Sequence, residues 1–139
     1  MIPLLSMRMF GINIEEKLKS RKLIESLFFD SNGFLHYPFK INYKTFQQTE
    51  DIDFPAKFTV SVSKKRFKRA VDRNNIKRKI REAFRKNKYM LYENLKKSGL
   101  KINFIIIYIS SENLDYVTIE KELVQMLIKL NEHLNKQNG

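Results

Sequence analysis

Cysteine and tryptophan are absent from the sequence, and only 4 glycines and 3 prolines occur among its 139 residues. Without cysteine there is no disulfide framework and no thiolate metal site, and the chain suits a reducing compartment. The glycines, at positions 11, 33, 99 and 139, are too scattered to build a phosphate-cradling loop. The two histidines, His36 and His133, stand far apart in the sequence, and no metal site or catalytic group is expected of either. Long hydrophobic runs are missing too. The longest, Phe104 to Ile109, suits a strand and falls far short of a membrane span. The apolar start, Met1 to Phe10, is interrupted by Pro3 and Arg8 and has no basic region before it, which argues against a secretory signal. The expectation is a soluble, cytoplasmic protein with no membrane partner.

What the chain does have is one domain's length, a hydrophobic fraction of 42% and a very uneven charge. A single domain over residues 1–139 is expected, with 1–12 and 136–139 loosely ordered. Residues 64 to 88 hold 13 of the 27 Lys and Arg but only 2 of the 15 acids, Asp72 and Glu82. Elsewhere the two signs nearly balance. Such concentration is costly in self-repulsion and calls for a polyanion, either nucleic acid or an anionic membrane surface.

Hydrophobic periodicity predicts the elements. A helix is expected over Ile14 to Phe28 and is stopped by Ser31-Asn32-Gly33, turn formers with a Gly that tolerates positive φ. Between Phe34 and Phe46 the pattern alternates, with Phe39, Ile41 and Tyr43 on one face and Lys40, Asn42 and Lys44 on the other; Pro38 divides it or marks an edge. Gln47 to Pro55 reads as an acidic loop and Lys57 to Ser63 as a second alternating strand. One long helix is then expected from an Asp72 N-cap to about Lys97, ended by Gly99. Ile76, Ile80, Ala83, Phe84 and Leu91 fall on its apolar side, with Asn74, Lys77, Arg78, Arg81, Arg85 and Lys88 on an adjacent cationic stripe. Lys101 to Ile109 reads as a central strand covered on both faces. Asp115 caps a last helix whose apolar side carries Ile119, Leu123, Leu127, Leu130 and Leu134. The fold expected is α+β: a small, mostly antiparallel four-stranded sheet with three helices, in the order α-β-β-β-α-β-α.

Residues for protein-borne catalysis are sparse, and no catalytic or metal-ligating set is assigned. Glu50, Asp51 and Asp53 form a solvated acidic loop more readily than a two-metal site. Lys and Arg at helical spacing can instead meet successive phosphates, Arg in bidentate fashion. Asn74 and Asn75 add donors and acceptors able to reach a base edge or a 2′-hydroxyl. Tyr37, Phe39, Tyr43 and Phe46 are either base-stacking platforms or core.

The segment from Phe58 to Arg85 closely resembles the bacterial ribonuclease P protein subunit. The resemblance rests on Val62-Ser63-Lys64-Lys65, Ala70-Val71, Arg73-Asn74, Ile76-Lys77-Arg78 and Arg81-Glu82. Weaker similarity reaches the first helix and strand and the last strand and helix. Three departures stand out: Asn75 replaces the second Arg of an Arg-Asn-Arg signature, Arg66-Phe67-Lys68-Arg69 replaces a Gly-containing turn, and the first-helix aromatic pair is reduced to Ile24 and Phe28.

The resemblance implies a left-handed β-α-β crossover and two partners, a catalytic ribonuclease P RNA and precursor tRNA, with no protein partner required. It implies 5′-leader removal by the RNA, using Mg²⁺ held by RNA and substrate. The RNA-binding set then comprises Lys64, Lys65, Arg66, Arg69, Arg73, Asn74, Asn75, Lys77, Arg78, Arg81, Arg85 and Lys88. Phe28, Phe39, Asn42, Tyr43 and Lys65 would meet the leader. Two alternatives are a ribosomal-type RNA binder with no role in cleavage and a metal-dependent nuclease using Glu50 and Asp51.

Overall fold

The computed structural model describes residues 17–29, 31–47 and 55–138. Within them the order is α1 (Arg21–Phe29), β1 (Asn32–His36), β2 (Phe39–Gln47), β3 (Ala56–Val62), α2 (Ala70–Asn87), α3 (Tyr89–Ser98), β4 (Leu100–Tyr108) and α4 (Tyr116–Asn138). The strands form one sheet in the order β1-β2-β4-β3. β1 and β2 make an antiparallel hairpin, β2 pairs antiparallel with β4, and β3 runs parallel to β4. The sheet is therefore mostly antiparallel, as expected, with one parallel pairing, because α2 and α3 return the chain from β3 to a parallel neighbour.

The alternating strands send one face into a single large core. Phe39, Ile41, Tyr43, Phe58, Val60, Phe104, Ile106 and Tyr108 pack there against Ile76, Ile80 and Phe84 of α2, Leu91 and Leu95 of α3, and Ile119, Leu123, Leu127, Leu130 and Leu134 of α4. The apolar stripes expected of the two long helical segments are all buried there. β4 is covered on both faces as its unbroken apolar run requires: on its other side Ile105 meets Leu27 of α1 and Leu18, with Ile24 and Ile107 at the margin.

Several local expectations change. The first helix begins at Arg21; Leu18 before it is extended and donates its N–H to the Phe58 carbonyl at 2.8 Å, along the outer edge of β3. Residues 14–16 lie outside the described residues, as do 1–12, residue 139 and the acidic positions Glu50, Asp51 and Asp53. α4 continues to Asn138, so the expected polar tail is helical almost to its end. Gly33 is an ordinary strand residue with no positive φ. Its missing side chain serves a close approach, since a Cβ there would stand 2.5 Å from Asn42 Oδ1 and 2.8 Å from the Ile41 carbonyl oxygen. The stop of α1 belongs instead to Ser31, whose hydroxyl donates to the Leu27 carbonyl.

The long basic helix is two helices. The Asn87 amide donates to the Ala83 carbonyl at 2.8 Å and competes with the main-chain ladder. A new helix begins beyond Lys88, whose carbonyl accepts from Leu91 and Tyr92. Asp72 lies in the first turn of α2 rather than at its cap, which is Arg69. Gly99 ends α3 at φ 66°, as expected. Asp115 caps α4 by accepting from the Thr118 N–H at 2.9 Å.

Candidate nucleic-acid interface

The cations of the 64–88 run are projected by two anchored pieces. The first is the turn after β3, where the Phe67 N–H donates to the Ser63 carbonyl at 3.0 Å and the Phe67 ring, 9% exposed, plugs into the core 6.1 Å from Tyr108. With that anchor, Lys64, Lys65, Arg66, Lys68 and Arg69 all stand exposed. The aromatic in this turn, one of the departures from the family pattern, is thus the residue that orients its charge. Arg73 locks the same turn from α2, its Nη1 donating to the Phe67 and Lys68 carbonyls at 2.9 Å each.

The second piece is α2, held by its buried stripe. Asn74, Arg78, Arg81, Glu82 and Arg85 line one shallow groove along it. Over the eleven steps from Asn74 to Arg85 the helix rises roughly 16 Å. Arg78 and Arg81 are exposed and Lys77 is half-buried at the groove's flank. Arg85 is held by Glu82, with Nε donating to Oε2 at 3.0 Å and Nη2 to Oε1. That bond, more than burial or more distant charges, holds the Glu82 carboxyl below its usual range and raises Arg85. Tyr116 is pushed up to about 12, first by burial and then by its hydrogen bond to Glu120.

Two residues expected on this surface turn elsewhere. Lys88 is 1% exposed, with its ammonium 5.4 Å from the Tyr92 ring centre; the helix break carries it inward and removes it from the cationic stripe. Asn75 accepts a long 3.4 Å hydrogen bond from Asn113 in the β4–α4 loop, and it is absent from the groove lining. Lys79 ties down the same loop, donating to Asn113 Oδ1 at 2.8 Å and to the Leu114 carbonyl at 2.9 Å.

The other candidate surface is the sheet face opposite α2, α3 and α4. Strand register places Leu35, Lys40, Ile107 and Ser61 in one row across it, Gly33, Asn42, Ile105 and Thr59 in the next, and Lys44, Asn103 and Lys57 in a third. Leu35, Lys40 and Lys57 are exposed. α1 lies over the middle of this face and offers Phe28, 49% exposed, and Phe29, 88% exposed, at its margin. Phe39 and Tyr43 point the other way and are 0% exposed, so their assignment to a leader-binding surface is corrected: they are core. Asn42 is on the open face but 7% exposed against Gly33. Lys65 is exposed at the end of β3.

Alternation in the sequence already sets Lys40, Lys57, Thr59 and Ser61 on the polar faces of their strands, but it names none of them as a site residue. The two histidines join β1 to α4: His36 Nε2 of β1 lies 3.0 Å from Glu122 Oε1, and His133 of α4 stacks on Phe34 with centroids 4.5 Å apart. Among the described residues no three or more His, Asp or Glu side chains come together as a metal site, and no helix is long and apolar enough to cross a membrane.

Residues 12–131 match the family model for ribonuclease P. A ribonuclease P protein component from Porphyromonas gingivalis is 34% identical over 121 residues, covering 87% of each chain, and a second strain's protein matches equally. Among solved structures, a Staphylococcus aureus RNase P protein superposes with TM-score 0.58 at 23% identity, over 83% of this chain and 94% of its own. The Thermotoga maritima RNase P protein gives 0.59 at 20% identity, over 81% and 94%.

Proposed function

The chain belongs to the ribonuclease P protein component family, a subunit of a ribonucleoprotein endonuclease that partners the ribonuclease P RNA, and from that premise we propose how its two surfaces divide the work. The cationic stripe and the 64–69 turn hold the catalytic RNA. The open sheet face and α1 hold the single-stranded 5′ leader of precursor tRNA.

The observation that carries this reading is the anchoring of the cations. The exposed Arg78 and Arg81 stand on the helix whose opposite stripe, Ile76, Ile80, Ala83 and Phe84, is 0% exposed, so a rigid core fixes the spacing of a phosphate-facing row. Each neutralised phosphate releases counterions, which gives salt-dependent binding with little sequence preference, suited to a folded RNA recognised by shape. Arg73 sets the turn against the helix, so the exposed cations of both pieces form one surface.

The sheet face has a different composition. Leu35 and Ile107 flank Lys40, with Ser61 beyond, and Phe28 overhangs from α1. Apolar and aromatic groups with interspersed lysines suit unpaired nucleotides, whose bases stack while their phosphates are neutralised. On this reading the protein raises the affinity of the RNA enzyme for its substrate, and bond cleavage belongs to the RNA with Mg²⁺ held by RNA and substrate phosphates. The protein then works in the cytoplasm, where precursor tRNA is processed. A purely ribosomal role is disfavoured by the match over residues 12–131.

The test compares holoenzyme affinity for precursor and mature tRNA. Lys40→Ala and Phe28→Ala should narrow the preference for the precursor while leaving affinity for the mature form unchanged. An undiminished preference in both variants contradicts the leader assignment.

A further inference from the structure

Glu82 is an acid inside the groove lined by Asn74, Arg78, Arg81 and Arg85. Next to a polyanion such a group repels, and a solvated i,i+3 ion pair contributes little to stability. Neither effect accounts for a carboxylate at the middle of a phosphate-facing stripe. Its geometry does. The pairing is side-on and bidentate, Nε to Oε2 at 3.0 Å and Nη2 to Oε1, and it fixes the plane of the Arg85 guanidinium. Both side chains remain partly open, at 32% for Arg85 and 40% for Glu82, so the pair is at the surface where RNA would arrive.

We propose that Glu82 is a positioning residue for RNA binding: it holds the Arg85 guanidinium in its binding orientation within the α2 groove, so that its own negative charge strengthens rather than weakens the complex. The proposal rests on the assignment of this groove to the ribonuclease P RNA. An unpaired arginine loses rotamer freedom when it meets a phosphate, whereas one held in advance has already lost it. The hydrogen bond with Arg85 is also the main cause that lowers the pKa of Glu82, which favours its charged form.

The two accounts of Glu82 predict opposite signs. If it were only a misplaced charge, Glu82→Gln would tighten RNA binding and steepen its salt dependence, because the protein gains net positive charge. If it positions Arg85, the isosteric substitution weakens binding by roughly two- to tenfold, the range for ordering one long side chain. The salt slope then becomes shallower, by up to about one phosphate contact.

The experiment titrates full-length protein against the ribonuclease P RNA of its own organism across a salt series, using wild type, Glu82→Gln, Arg85→Ala, the double variant and Arg81→Ala, with melting curves to confirm folding. The expected result is a loss for Glu82→Gln that vanishes in the Arg85→Ala background, with melting temperatures unchanged. Tighter or equal binding by Glu82→Gln while Arg81→Ala weakens it overturns the positioning role and leaves the interface standing. If Arg81→Ala and Glu82→Gln both bind as wild type, the groove does not face RNA and both conclusions fall.

Discussion

The Arg73 guanidinium closes the turn that precedes its own helix, with Nη1 donating to the carbonyls of Phe67 and Lys68 at 2.9 Å each. A residue that sequence assigns to RNA contact thus has a structural task as well. Arg73→Ala should cost roughly 1 to 2 kcal/mol in urea unfolding, the scale of charge-assisted hydrogen bonds at a partly open site. It should also shallow the salt slope by more than one phosphate contact, because the cations of the turn lose their fixed placement. Arg73→Lys separates the two effects: it keeps the charge and loses the fork, so stability falls while most of the salt slope survives.

Lys88 provides the converse case. It belongs by sequence to the cationic stripe, yet it is 1% exposed. Lys88→Met should leave the salt dependence of RNA binding at the wild-type slope, whereas Lys77→Ala lowers it by about 0.7 to 0.9. Equal slopes for both variants would place Lys88 at the phosphate surface after all.

Gly33 has no room for a methyl group, because its Cβ would meet both a side chain and a carbonyl oxygen. Gly33→Ala should therefore destabilise the β1–β2 hairpin by about 1 to 3 kcal/mol, as overpacking does. Adding Asn42→Ala should restore only part of the loss, since the Ile41 carbonyl remains 2.8 Å away. Urea unfolding of the single and double variants checks both statements.

The Asp115 cap sets a pH dependence. Its carboxyl lies below the ordinary value of 3.8, mainly through its hydrogen bond with Thr118. A depressed folded value means the cap's contribution is complete above about pH 4 and disappears as pH falls through the folded pKa. The melting temperature of wild type should accordingly fall more steeply at acid pH than that of Asp115→Asn, which caps without ionising. Parallel curves would show that the cap is not coupled to folding.

The parts legible in sequence are those decided by periodicity. The core stripes of α2 and α4, the covered strand β4 and the two faces of β2 all follow from spacing. Alternation separates Phe39 and Tyr43 from Lys40 and Asn42 but says nothing of which face the helices cover; that is a tertiary fact, and the leader-site assignment of Phe39 and Tyr43 failed on it. The break at Lys88 escaped because one side-chain hydrogen bond from Asn87 to Ala83 leaves no periodic trace. Gly33 was read for backbone freedom when its role is space. Charge, in contrast, was legible in position and incomplete in use: Arg73 and Arg85 hold protein groups as well as lining the candidate surface.

The most direct test of the account is reconstitution. The protein is added to the ribonuclease P RNA of its own organism at low Mg²⁺, and 5′-leader removal from precursor tRNA is followed with time. The account predicts that wild type stimulates cleavage and that a variant lacking Lys77, Arg78 and Arg81 does so only at much higher protein concentration. Absence of stimulation by the wild-type protein, or full stimulation by the triple variant, would contradict it.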